Sequence, residues 1–136
     1  MKVDIIKSLI AFAISALLAY ACYEICDFER VQLIVTAGAL LTMGTPLVFA
    51  LGVSAEQERS SIVLKTLSWS VFCIEVLSNG IFVFLDFSVP VYVIVNGLIL
   101  LIFVLIYNSI YRKLLLQTAP LLQCSRLSTL HLFLVI

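Results

Sequence analysis

Residues 91–111 read VYVIVNGLILLIFVLIYNSIY, and no acid or base interrupts them. A hydrocarbon core about 30 Å thick is crossed by about 20 apolar residues wound as a helix, so this stretch is long enough to span a bilayer once. It lacks the in-and-out alternation of a membrane barrel strand. In hydrocarbon a spanning segment must also satisfy its own backbone hydrogen bonds, so a helix is the expected form.

Three runs of the same kind precede it. The expected spans are 8–26, 31–53, 62–85 and 91–111, with polar breaks at EICDFER, SAEQERSS and DFSVP and a basic exit at YRK. Composition agrees. The 136 residues are 63% hydrophobic and 12% charged, with a mean hydropathy of +1.21, whereas a soluble domain is about 25% charged. The sequence therefore predicts one all-α domain, a polytopic four-helix antiparallel bundle over residues 1–116. An apolar tail, 117–136, follows at the cytoplasmic side or along the interface. Pro120 is expected to stop the fourth helix, and the closing LHLFLVI is too short to cross.

Basic residues in short loops are retained on the cytoplasmic side of a membrane. Lys2, Lys7, Arg59, Lys65, Arg112, Lys113 and Arg126 fall on one side of the expected topology and Arg30 on the other, which predicts both termini inside. Tyr20, Tyr23, Trp69, Tyr92, Tyr107 and Tyr111 lie near expected span ends, where an interfacial aromatic belt would hold them. Lys2, Lys7, the apolar run and AYAC at 19–22 resemble a signal peptide. Asp4 and Tyr20 sit badly in one, and the first run is expected to remain as a span.

Helices in lipid associate through close-packed small residues and interhelical hydrogen bonds. Ala11, Ser15 and Ala19 recur every four residues and form such a stripe. In TMGTP, 42–46, Pro46 cannot donate to the carbonyl of Thr42, so Gly44 and Pro46 mark an expected kink, static or hinged.

One acid stands inside a span. Glu75, in SVFCIEVLSNG at 70–80, is ten residues from Lys65 and eleven from Asp86, so it is about 15 Å from either end. An acid at that depth costs about 2.5–3.5 kcal/mol to insert, and desolvation favours its neutral form unless a cation or a wet cavity stands beside it. Ser68, Ser78 and Asn79 share its stripe, and Asn96 on the fourth span is a further candidate partner. Two readings follow. A neutral Glu75 can glue helices by donating a hydrogen bond to an Asn, a hydroxyl or another subunit. Alternatively, it titrates or binds a cation along a conduction path.

Other chemistry is sparse. Cys22 and Cys26 are four apart without a nearby histidine, an awkward spacing for a disulfide. His131 is the single histidine. No phosphate loop, Ser-His-Asp set or metalloprotease motif occurs, so no enzyme, metal or cofactor is expected. The formal charge is zero, and no basic excess points to direct nucleic-acid binding. Ser54 and Gln57 are spaced to open a capping box. Glu56, Glu58 and Arg59 of the same loop, with Arg112 and Lys113, form the surface on which a cytosolic protein would dock.

The MKVDIIKSLIAF start, the four spans, the charged SAEQERSS loop and the YRK exit resemble the membrane subunits of two-gene Kiwa phage-defence systems over residues 1–116. The resemblance implies a bacterial inner-membrane protein that assembles as an oligomer, responds to infection at the envelope, and works with a cytosolic DNA-binding effector. Small multidrug exporters resemble the chain in size, yet their acid lies in the first helix, where this chain has Ser15. The expectation is a non-enzymatic sensor or anchor that self-associates, as a tetramer to begin with, through the small-residue faces and Glu75. The alternative is a small ion channel or proton-coupled transporter using Glu75.

Overall fold

The computed structural model describes the backbone of residues 2–55 and 58–135, and the side chains of residues 2–55 and 61–116. The element order is β1 (Lys2–Val3), α1 (Ile5–Ile25), α2 (Glu29–Leu51), β2 (Val53–Ser54), α3 (Glu58–Phe84) and α4 (Val89–Val135). Within these, Ile5–Ile25, Glu29–Leu51, Ser61–Phe84 and Val89–Leu116 are four helices long and apolar enough to cross a membrane. That is the mark of a multi-pass membrane protein.

Helix α1 starts before the expected span because Asp4 caps it. Its Oδ1 accepts from the amides of Ile6 and Lys7 at 3.1 and 3.2 Å, satisfying two of the donors that a helix start leaves open. Contacts between neighbouring helices run in opposite numerical order. On α1, Ser8 meets Gly52, Ser15 meets Gly44, and Ala19 packs with Ala39 and Met43 of α2. In the same way Val35 groups with Val83, and Asn79 bonds Thr42, while Ser78 of α3 bonds Asn96 of α4. Helix α2 touches all three others. It is the inner helix: 44% of its most apolar stretch is buried, against 17% for α1 and α4. The outer faces carry Leu9, Phe12 and Leu17 on α1, and Leu98, Leu101 and Leu105 on α4, all exposed. So large an apolar surface is what lipid contact requires.

Three local features depart from the sequence reading. The chain start pairs antiparallel with the α2–α3 connection, Lys2 opposite Ser54 and Val3 opposite Val53, and the Asp4 amide donates to the Gly52 carbonyl at 2.8 Å. A side chain at Gly52 would overlap Ser8, so glycine permits this close approach. Ser54 therefore belongs to a two-stranded ribbon instead of opening a capping box, while Gln57 lies outside the described residues. Second, α4 does not stop at Pro120 but continues to Val135. The ring removes one donor to the carbonyl of Leu116, and the leucine-rich segments on either side are strong enough helix formers to carry the helix past that loss. Helix α2 runs through Pro46, which is buried. Third, Tyr92 and Tyr107 are not belt residues. They are 3% and 8% exposed, because the Tyr92 hydroxyl finds partners inside and the Tyr107 ring packs on Phe49 and Phe103. Tyr20, Tyr23 and Trp69 do remain exposed.

Candidate intramembrane polar site

The buried face of α3 is Leu64, Ser68, Val71, Glu75, Asn79 and Val83. Steps of three and four put all six on one helical stripe, turned toward α2 and α4. Glu75 sits within it and is 0% exposed. Neither carboxyl oxygen has a hydrogen-bond partner. The Thr42 side chain lies beside it without closing a bond of acceptable geometry.

Around this acid runs a continuous polar thread. Asn79 donates from Nδ2 to the Thr42 hydroxyl at 3.0 Å and to the Glu75 main-chain carbonyl at 2.8 Å. Its Oδ1 accepts from the Tyr92 hydroxyl at 2.6 Å, which also lies 3.4 Å from the Val35 carbonyl. One turn along α4, Asn96 donates to the Tyr92 carbonyl at 3.0 Å and accepts from the Ser78 hydroxyl at 3.1 Å. Three helices thus contribute, and the buried amides are satisfied while the carboxyl is not. In a low-dielectric interior that asymmetry is costly. Space for the thread comes from Gly38, where any Cβ would overlap the Tyr92 hydroxyl and ring.

The Thr42 hydroxyl is unusual for its place. Ser15, Thr36, Thr45, Thr66, Ser68 and Ser70 each turn back to the carbonyl four residues earlier, at 2.8–2.9 Å, the ordinary habit of a hydroxyl within a helix. Ser68 is thereby no partner of Glu75, although it shares the stripe. Thr42 makes no such bond among the described residues; its oxygen receives Asn79 instead. Four residues on, Pro46 lacks the N–H that would have reached the Thr42 carbonyl.

Of the residues singled out from sequence, Glu75, Ser78, Asn79 and Asn96 fall into this one region. Thr42 and Tyr92 were missed as members. The TMGTP motif flagged Thr42 through its freed carbonyl, but nothing local flagged Tyr92, whose position near a span end pointed to the interface. Ala11, Ser15 and Ala19 are 0%, 0% and 3% exposed, and a Cβ built at Gly44 would lie 3.5 Å from the Ser15 side chain. Within the chain, α2 covers this stripe and Glu75 is fully enclosed. Arg112 and Lys113 are exposed. Glu56 lies outside the described residues, and Glu58 and Arg59 open α3 with side chains outside them. Cys22 and Cys26 are free thiols, half-buried and buried, and no His, Cys, Asp and Glu cluster with metal-binding spacing occurs among the described residues. The side chain of His131 lies outside the described residues. No protein-family model, curated protein or solved structure matches the chain.

Proposed function

We propose that the protein is a non-enzymatic carrier of protons or small cations, in which Glu75 is the group that takes up the ion. The reading places an antiparallel four-helix bundle in a bacterial inner membrane with both ends toward the cytoplasm. One observation carries it: a carboxyl group enclosed by its own chain, both oxygens unpartnered, amid satisfied amides and hydroxyls. Helix glue would need a bond that Glu75 does not make. A side chain that costs about 2.5–3.5 kcal/mol to insert and stabilises nothing in this arrangement is accounted for by a second state in which it is solvated or occupied. Complete enclosure favours a carrier that opens alternately over a standing channel, where the acid would line an aqueous path.

Orientation is supported by charge. Exposed Lys2 and Lys7 lie at the end of the bundle that also holds the α2–α3 connection and, past Tyr107 and Tyr111, exposed Arg112 and Lys113. The opposite end holds Arg30 near Asp86 at 4.0 Å. Purified protein in liposomes containing a pH-sensitive dye should dissipate an imposed proton gradient, and Glu75→Gln should abolish that flux while leaving helicity and elution volume unchanged. Absence of flux from wild-type protein under every imposed gradient removes the carrier.

The exposed basic pair Arg112 and Lys113 favours a second reading, an envelope sensor or anchor that presents its cytoplasmic face to a soluble effector, as in the phage-defence systems it resembles. It would assemble through lipid-exposed faces of α1 or α4, since the small-residue stripe is occupied. Subunit counting in nanodiscs separates the two: an obligate tetramer without flux selects the sensor.

A further inference from the structure

We infer that Glu75 is a reversible proton-binding site and that Thr42 is its positioning residue, turning its hydroxyl proton toward the carboxylate when the proton leaves. The inference rests on the carrier reading for its purpose and names that carrier's ligand. Three features of the geometry support it. The Glu75 carboxyl is buried and has two open acceptor oxygens. The Thr42 oxygen is occupied as an acceptor by Asn79 at 3.0 Å, so its own proton must point elsewhere. That proton has not been given to the carbonyl four residues back, as it has been by the hydroxyls of Thr36, Thr45 and Thr66 on the same or neighbouring helix.

The relay has a fixed polarity. Tyr92 donates to Asn79, and Asn79 donates to Thr42; the next donation in that direction ends on Glu75. Hydrogen bonds chained this way reinforce one another. When Glu75 takes a proton from a water or hydronium ion reaching the site, an O–H bond forms on one carboxyl oxygen and the negative charge disappears. No other covalent bond changes. The new donor then needs an acceptor, and the Thr42 carbonyl, deprived of its helical N–H by Pro46, is the one the sequence leaves open. Thr42 thus offers a donor to the charged form and an acceptor to the neutral form.

A proton fits this site better than a metal cation. Among the described buried side chains Glu75 is the single acid, and its polar neighbours Asn79 and Asn96 are already committed to internal bonds. An alkali or alkaline-earth ion wants about six oxygen ligands. Besides Glu75, the titratable side chains turned inward among the described residues are Cys22 of α1, Cys26 just past its end, and Tyr92 and Tyr107 of α4; α2 supplies none, and no described basic side chain is buried with them. Lys65, the nearest basic residue along α3 among those with described side chains, is ten residues away.

Infrared difference spectroscopy on the full chain in nanodiscs reads protonation directly and does not require transport. Stepping the pH should produce a protonated-carboxyl band that is absent from Glu75→Gln. Thr42→Val, which keeps the shape and loses the hydroxyl, should bind the proton about tenfold more tightly, because a hydrogen bond to the charged form is lost; Thr42→Ser should restore the wild-type midpoint. Circular dichroism on each variant separates these effects from misfolding. A band that never titrates overturns the site. A Thr42→Val midpoint equal to wild type overturns the role of Thr42, and displacement of the band by sodium at constant pH replaces the proton with a metal cation. A titrating band in a protein that shows no liposome flux leaves this inference standing and removes the carrier.

Discussion

The two ends of the bundle interior are built from different materials. Toward the α2–α3 connection, Leu64, Val71, Phe103 and Tyr107 pack with Phe49 and Ile99, the rings meeting edge to face at 4.8–5.8 Å. Toward the opposite end, Thr42, Asn79, Tyr92, Asn96 and Ser78 bond to one another across three helices, with Glu75 unbonded among them. The first region fixes helices by shape alone, which suffices where lipid supplies no hydrophobic drive. The second fixes them by direction, and it leaves one group out. Stability and function therefore separate along the bundle: substitutions in the aromatic region should only weaken the fold, whereas removing the acid should strengthen it.

The largest effect should come from Phe103→Ala. The ring is 1% exposed and touches both Phe49 and Tyr107, so truncation leaves a cavity that α4 cannot close. The expected loss is about 3 kcal/mol, the low end for core phenylalanines because transfer from water contributes less within a bilayer. Reversible unfolding in mixed micelles, followed by helicity, measures it. A loss below that of any polar-thread variant would reverse the comparison.

Gly38→Ala comes next and probes the polar region without altering a polar group. Its new methyl would overlap the Tyr92 hydroxyl and ring, forcing the tyrosine off Asn79; overpacking of this kind costs about 2 kcal/mol. Gly97→Ala is the control, since nothing lies within 4 Å of a Cβ built there, and it should be neutral or stabilise by up to about 1 kcal/mol. Equal effects at the two glycines would mean that Tyr92 is not held where Gly38 admits it.

Glu75→Leu should change sign, stabilising the fold by about 1–2 kcal/mol. It removes a buried carboxyl that makes no bond and puts an apolar side chain of similar size at a fully buried position. The gain is set below the full insertion cost because the unfolded chain in a micelle also solvates part of the acid. A destabilised Glu75→Leu would show that the carboxyl has a partner in the resting fold, which would restore the structural-glue reading.

How much of this was legible beforehand follows from range. Apolar runs and polar breaks announce four helices because burial in lipid acts on each segment separately. Steps of three and four put Glu75 and Asn79 on one stripe for the same local reason. Thr42 and Tyr92, 37 and 13 residues from Asn79, could not be paired with it because helix rotation and stagger are settled by side-chain fit between elements. The ribbon was illegible for a different reason: two residues a side, Lys2–Val3 and Val53–Ser54, carry no periodicity. Pro120 misled because its local penalty, one lost bond, was read without the helix-forming leucines on both sides.

Tyr92→Phe should give the smallest effect and the sharpest test of the thread. Only an oxygen is lost, so the stacking on Phe87 at 5.2 Å and the edge contact with Phe82 at 5.3 Å persist, and shape is unchanged. What disappears is the donor to Asn79 Oδ1, at 2.6 Å the shortest bond in the thread. In a membrane protein such a bond is worth about 1 kcal/mol, because unfolded helices in the micelle find other partners. The Asn79 amide would then be free to rotate, and with it the bond that orients Thr42. Hydrogen exchange at the side-chain amide of Asn79, read by NMR, should therefore quicken far more than the change in global stability accounts for. An unchanged Asn79 exchange rate would show that Tyr92 supports the fold through its ring alone, and the polar region would then differ from the aromatic one in composition but not in how it holds the helices.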